Sequence, residues 1–502
     1  MKRIKPLAQI LAEGSDEKRG LKRSLGPWAL AAMGIGAIIG TGIFVLTGVA
    51  AATRAGPALT ISFVIAGIVS ALAALCYAEV SSKIPISGSA YTYAYATLGE
   101  LVAWIIGWDL ILEYALGAAT VSIGWAGYFG NFLTTAFGIT LPARWSHSPF
   151  DVAANGAPLH GIINAPAAII ILLITMLLVR GTRESGLVNG IIVGVKLAIV
   201  AFFLIIGVQH IDPANYHLAA GPMTGMGGYF PFGWTGVFGG AAFIFFAYIG
   251  FDAVSTTAEE AKNPSRDLPF GILMSLAICT VLYIAVVAVL TGMVPFNDLN
   301  VASPVAYAVI KVGLPWAGLI ISLGAIAGLT TVLLVMMFGQ SRIIFAMSRD
   351  GLIPKWFTAI HPTFRTPIFS TIFFGILIAA AAALTPIDIV GSLTNMGTLI
   401  AFVLVSIAVP LLRTRHPELK GGFTVPLGNY FLPILSALAS LGLIYSLKFQ
   451  GSLWHGIPIA WIGFVIWMAI GLTIYLSYGR THSTVALQVA EGGLAARQPP
   501  VN

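Results

Sequence analysis

Four ionisable residues stand inside otherwise apolar runs of this chain: Asp109, Glu113, Lys196 and Asp252. A charge at bilayer depth is rare and marks a functional site by default, with a partner to be named. Lys196 falls about ten residues into its run, roughly 15 Å along a helix and near the middle of a ~30 Å apolar core. Its stem does not reach water from there. Desolvation works against the charged amine. One chemistry open to Lys196 is therefore proton carriage, and the other is a fixed cation that props backbone carbonyls. Asp109 and Glu113 share one helical face, being an i,i+4 pair. Glu113 lies deeper and suits a binding pocket, directly or through water, whereas Asp109 suits a partner among nearby cytoplasmic groups. Asp252 reads either as the cap of a resuming helix, with Ser255 at the matching offset, or as an acidic wall for a ligand ammonium or cationic side chain. Glu79 and Lys83 read as an interfacial i,i+4 pair.

These charges need elements that turn apolar helix into binding surface. Residues 34–44 read GIGAIIGTGIF, with Gly34, Gly36, Gly40 and Gly42 in one short stretch. Each glycine costs ~1 kcal/mol of helix propensity relative to alanine, so the cluster invites a break. Broken helix at bilayer depth survives only where its freed N–H and C=O groups line a cavity or meet a ligand. A second interruption is expected in the run 234–258, where Gly250 precedes Phe251 and Asp252. The resumed half near Thr41 and Gly42 offers N–H donors and a hydroxyl, which favour a carboxylate. The end of the other half, around Phe246, Ala247 and Ile249, offers carbonyls, which favour an ammonium group. An α-amino acid meets both needs. Phe246 and Phe251 serve either as lids or as packing.

The wider chain fits this picture. Of 502 residues, 58% are hydrophobic and only 9% charged, and the mean hydropathy is +0.92. Soluble domains carry ~25% charged residues, so this is a polytopic membrane protein. Twelve transmembrane helices are expected, at about 28–50, 57–82, 101–130, 164–180, 186–208, 234–258, 269–293, 314–341, 367–384, 389–412, 430–447 and 456–478. The class is all-α. Breaks in the first and sixth spans divide the chain into a first repeat (28–208) and a second (234–412), an inverted repeat of five plus five helices. Spans eleven and twelve (430–478) fall outside it, with a polar arm at 1–27 and a tail at 479–502. Among the 26 Lys and Arg, Arg54, Arg144, Lys311 and Lys448 fall on one side and Lys196 within a span. All the others fall on the side of the termini, which places both termini in the cytoplasm. The mixed-charge arm is not a signal peptide.

The net charge of +7 is thus a topology signal, and no nucleic acid is implied. Cys76 and Cys279 read as small core residues within spans. No HExxH, paired CxxC, P-loop or nucleophile elbow occurs, so no metal, cofactor or enzymatic activity is expected. The absence of a nucleotide-binding domain argues against an ATP-driven pump.

Three motifs together, GIGAIIGTGIF, FFAYIGFDAVSTTAEEAKNP and GQSRIIFAMSRDGLIP, resemble the amino acid–polyamine–organocation superfamily over about residues 24–480. With Glu113, Asp252 and Lys196 the chain is most similar to its cationic amino-acid transporter branch, in bacterial form. The resemblance implies a LeuT-like fold with discontinuous helices 1 and 6 and alternating access. It implies the cell (plasma) membrane as location, L-amino acids as substrate and protons as coupling ion. Matching positions imply Ile38, Gly40, Thr41 and Gly42 for the substrate carboxylate, and Phe246, Ala247 and Ile249 for its amine. Lys196 occupies the place where sodium-coupled relatives bind an ion. A sodium-coupled or exchange transporter is the alternative, on the adjacent hydroxyls of Thr330 and Thr331, although a midplane Lys⁺ would repel Na⁺. A non-transporting sensor would be expected to add a signalling domain.

Overall fold

The computed structural model describes residues 3, 5, 25–85, 89–152, 157–181, 186–217, 228–364, 366–419, 422–449, 453–454 and 457–487. Most of the expected 1–27 arm and most of the 479–502 tail lie outside the described residues. The protein is built of helices. They are α1 (Pro27–Ile38), α2 (Leu59–Lys83), α3 (Glu100–Phe137), α4 (Ala165–Arg180), α5 (Gly186–Val208) and α6 (Gly233–Ile244). They continue with α7 (Pro264–Met293), α8 (Pro315–Arg349), α9 (Ile368–Leu384), α10 (Ile387–Arg415), α11 (Phe431–Ser446) and α12 (Ile459–Ile474). Counted with flanking turns, eight helical stretches among the described residues are long and apolar enough to cross a membrane. Helices α1, α4, α9 and α11 are shorter apolar helices. The β-ladder among the described residues is a two-residue pairing of Leu453–Trp454 with Ile457–Pro458.

Each expected apolar run contains one of these helices, and the differences have local causes. Helix α8 does not end at 341 before a loop; it continues through QSRIIFAMSR to Arg349. Nothing in that stretch breaks a helix until Gly351, whose φ of 77° stops it. Arg342, which reads as a loop charge, lies along the helix with its guanidinium 4.1 Å from the Phe338 ring centroid. Helix α7 starts at Pro264, earlier than 269, because Pro264 occupies the first turn, where no N–H is needed. The Asp267 carboxylate closes that turn by accepting the Asn263 N–H at 3.1 Å.

Helix α3 is the long strut of the molecule. It packs along α8 and α10, while α7 packs along α1 and α2. Helix α12 is fastened to α3 by indole rings: Trp108 stacks on Trp467 at 4.4 Å between centroids. Each of these indoles also donates its Nε1–H to the other residue's carbonyl, at 2.9 and 3.1 Å. At the end of α2, Glu79 does more than pair with Lys83 (2.7 Å). It also accepts from Arg413 Nε at 2.7 Å and from the Val425 N–H at 2.8 Å, tying α2 to α10 and the segment beyond it.

Candidate functional site

The first break lies at Ile39 and Gly40. Helix α1 ends at Ile38, Ile39 turns extended (φ −72°, ψ 99°), and helical winding resumes at Thr41 as a wide π-turn over Gly42–Leu46. Gly34 and Gly36 sit within α1 and do not break it. At Gly34 the missing side chain admits α7, since a Cβ there would stand 2.4 Å from Ser275 Oγ. The carbonyls at the end of α1 are taken by protein donors. Lys196 Nζ donates to Gly36 O at 2.6 Å and to Ile39 O at 3.1 Å, and the Tyr283 hydroxyl donates to Ile38 O at 2.8 Å. The N–H side stays open. The resumed ladder starts with Phe44 N–H on Gly40 O at 3.3 Å, which leaves the N–H groups of Thr41, Gly42 and Ile43 outside it. The Thr41 hydroxyl is buried without a hydrogen-bond partner.

The second break lies at Ile249–Phe251. Helix α6 tightens into a 3-10 turn over Phe245–Tyr248, Ile249 turns extended (φ −61°, ψ 136°), and Gly250 has φ 116°. A side chain is strained at that φ, and a Cβ would also stand 2.9 Å from the Ala37 carbonyl carbon. Winding resumes as a 3-10 segment, Asp252–Glu260. Asp252 is the first residue of that segment rather than the residue before it, and its carboxyl group lies against the N–H groups of Gly250, Asp252 and Ala253. Ser255 gives its hydroxyl back to the Asp252 carbonyl at 2.6 Å. The Phe246 carbonyl already accepts the Ile249 N–H at 3.2 Å. The carbonyls of Ala247 and Ile249 accept no bond among the described contacts.

The two breaks touch. A Cβ at Gly42 would lie 2.3 Å from Ala247 Cα, and Gly250 abuts Ala37. The backbone at Gly42 of one break therefore packs directly on the backbone at Ala247 of the other. Next to this contact is a cavity lined by Ala37, Ile249, Gly250, Asp252 and Ala253 from the breaks, Glu113 and Tyr114 from α3, and Val332, Val335 and Met336 from α8. Of the expected site residues, Glu113, Ile249 and Asp252 line it. Gly40, Thr41, Gly42, Phe246 and Ala247 surround the crossing, and Ile38 gives its carbonyl to Tyr283. Lys196 lies on the far side of α1, 1% exposed, with its stem against Gly328. Phe251 packs between Phe402 (5.2 Å) and Tyr77 (5.8 Å), so it belongs to the core and not to a lid.

Residues 25–484 match the model of the amino acid permease family. The chain belongs to the amino acid permease family. It is 47% identical over 481 residues to the methylthioribose transporter of Bacillus subtilis (strain 168), covering 96% of this chain and 98% of the relative. It is likewise 47% identical over 482 residues to the branched-chain amino acid permease BcaP of the same organism, with the same coverage. A vacuolar cationic amino acid transporter 4 of Arabidopsis thaliana is 39% identical over 412 residues, which is 80% of this chain and 65% of that relative. These relatives are transporters and permeases, not enzymes, and the superfamily implied by the motifs is the one found.

In this permease one expected placement fails. Asp109 has no cytoplasmic partner: it is fully buried, and neither carboxyl oxygen has a hydrogen-bond partner. It lies against Gly397 of α10, one turn of α3 below Glu113. Four groups at or beside the site were missed by the sequence reading. Tyr283 and Asn395 carry no signal; the Asn395 amide donates to the Ala242 and Phe243 carbonyls at 2.9 and 2.7 Å and steadies the end of α6. Val332 and Met336 could have been found from their i,i+4 spacing on α8, opposite the breaks.

Proposed function

We propose that this permease is a proton-coupled symporter of L-amino acids that works by alternating access. In this reading twelve spans cross the plasma membrane with both termini in the cytoplasm, and helices one to five and six to ten form a LeuT-like inverted repeat. The observation that carries the reading is the crossing of Gly42 and Ala247. In this reading the unpaired N–H groups and the Thr41 hydroxyl of the first break face one end of the ligand, and the unpaired carbonyls of the second face the other. Carboxylate and ammonium groups bonded to a single carbon fill those two halves at once. The cavity beyond receives the side chain, with Val332, Val335 and Met336 as its apolar wall and Glu113 and Asp252 as its acidic one.

Lys196 supplies the coupling. Its ammonium holds the Gly36 and Ile39 carbonyls together across the break. As the neutral amine it has two N–H donors and a lone pair, and the charge-assisted bonds that fix the break weaken. Protonation thereby sets the angle between the halves of the first span, and with it the side from which the site opens. The structural and proton-carrying roles of Lys196 are one device. Sodium coupling finds less support. The Thr330 hydroxyl donates to Ile326 O at 2.7 Å and accepts from Trp125 at 3.0 Å, and Thr331 bonds back to Gly328 O, beside the Lys196 stem. A cation there would face the ammonium.

The test is uptake into sealed proteoliposomes under a pH gradient or a sodium gradient. Uptake is expected with an inward proton gradient and falls strongly in Lys196→Ala. Sodium-driven uptake that Lys196→Ala leaves untouched would overturn the coupling.

A further inference from the structure

Among the described residues Asp109 is a fully buried carboxyl group without a partner, and the site described above does not use it. Its exposure is 0%, and both carboxyl oxygens lack a hydrogen bond. Close by on the same helix face is Glu113, about 6 Å along the axis and lining the substrate cavity. Toward the other end of α3, roughly 13 Å away, is Glu100. There the described parts of both terminal segments gather on Glu100: Arg3 pairs with its carboxylate at 3.2 Å, and the Ser483 hydroxyl donates to the same carboxylate at 2.6 Å. Asp109 thus stands between the cavity and the face of the termini.

Among the described residues, the groups around it carry no compensating charge. Glu113 is the titratable neighbour among the described residues. Helix α10 faces Asp109 with Gly397, a Cβ on which would lie 2.7 Å from Oδ1. The phenols of Tyr77 and Tyr93 face Asp252 instead. Helix α8 brings Gln340, 1% exposed and with neither amide atom hydrogen-bonded, next to the Gly339 that packs on Tyr114. A bare carboxylate in such a place is an uncompensated buried charge, which is costly to hold.

We propose that Asp109 is the proton relay between the substrate cavity and the face of the termini. When that face opens in the transport cycle and water reaches Asp109, the Asp109 acid gives its proton to that water, and the resulting carboxylate takes the proton of the Glu113 acid. Glu113 is left as a carboxylate, which the next proton to enter the cavity neutralises. The relay rests on the proton-coupled reading of the permease, and the test separates the two.

The full-length protein in proteoliposomes, with a pH-reporting dye inside, is measured in two modes: exchange of labelled substrate at equal pH, and substrate-coupled proton flux. Asp109→Leu removes no bond and is expected to fold as stably as the wild type and to exchange within about twofold, with proton flux reduced at least about tenfold. Asp109→Glu is expected to keep the flux. Normal flux in Asp109→Leu, or in Asp109→Asn should the leucine variant not fold, overturns the relay. Equal loss of exchange and flux in a folded variant also overturns it, because that makes Asp109 part of the binding site. A wild type without substrate-coupled proton flux overturns the coupling itself.

Discussion

Gly42→Ala places one carbon where the two breaks cross. The new Cβ would stand 2.3 Å from Ala247 Cα, 2.4 Å from its Cβ and 3.0 Å from its N. Carbon atoms rest about 3.5–4.0 Å apart, so the chains must separate by more than ~1 Å. The atoms met are backbone and an alanine Cβ, and no rotamer change relieves them. Overpacking of a core costs about 1–3 kcal/mol where side chains yield, and this position belongs at or above the upper end. The same separation moves the N–H groups of Thr41 and Gly42 away from the carbonyls of Ala247 and Ile249. A misplacement of about 1 Å at a site that must grip both ends of its ligand costs on the order of 100-fold. The assay is thermal unfolding of purified protein together with initial uptake per folded molecule. Gly40→Ala is the matched control for stability, because the nearest atoms to its Cβ belong to the Val332 side chain, at ordinary contact distances of 3.4 Å and more; it should cost less than about 1 kcal/mol. Wild-type unfolding and uptake in Gly42→Ala, or equal destabilisation by both alanines, would refute the crossing.

Two further substitutions probe neighbouring parts of the account. Gly328→Ala brings a Cβ to 3.1 and 3.2 Å from Cε and Cγ of Lys196. The ammonium is displaced from the Gly36 and Ile39 carbonyls, so gradient-driven accumulation should fall by about tenfold, the equivalent of one charge-assisted hydrogen bond, while the protein stays folded; undiminished accumulation would contradict the role of Lys196. Glu79→Gln leaves Arg413 and Lys83 facing an uncharged group at a position that is 0% exposed. Stability in detergent should drop by about 3 kcal/mol, and Glu79→Leu with Arg413→Met should recover most of it; a double variant no better than the single one would show that the pairing is not what holds α2 to α10.

Much of this was legible in the sequence because membrane helices obey few rules. Long apolar runs located the helices, and the glycine cluster at 34–44 and Gly250 located the breaks: clustered glycines weaken a helix, and at Gly250 a φ of 116° strains any side chain. Lys196 stood out because a midplane amine has few reasons to exist. What escaped was everything that depends on which helices lie side by side. Tyr283 reaches Ile38 from α7, and Asn395 reaches Ala242 and Phe243 from α10. No periodicity within one helix encodes such a contact. Asp109 was misplaced for the same reason. Its position along α3 suggested water and partners nearby, but α10 covers it with Gly397. The end of α8 was misread because arginines suggest a loop, whereas Arg342 lies flat along its own helix against Phe338.

The central claim is that the two breaks grip the two charged ends of one α-amino acid. Equilibrium binding to the purified protein tests it most directly, using the best-bound L-amino acid of a full panel, its amide, its N-acetyl derivative, and methylthioribose, the ligand named for one relative. A site built to hydrogen-bond a group rejects the analogue lacking it by about 10⁴-fold. The account predicts that only the free zwitterion binds, with both capped derivatives and the sugar weaker by at least about 100-fold, a margin well inside that bound. Undiminished binding of the amide or the N-acetyl derivative, or methylthioribose bound as tightly as the amino acid, would contradict it.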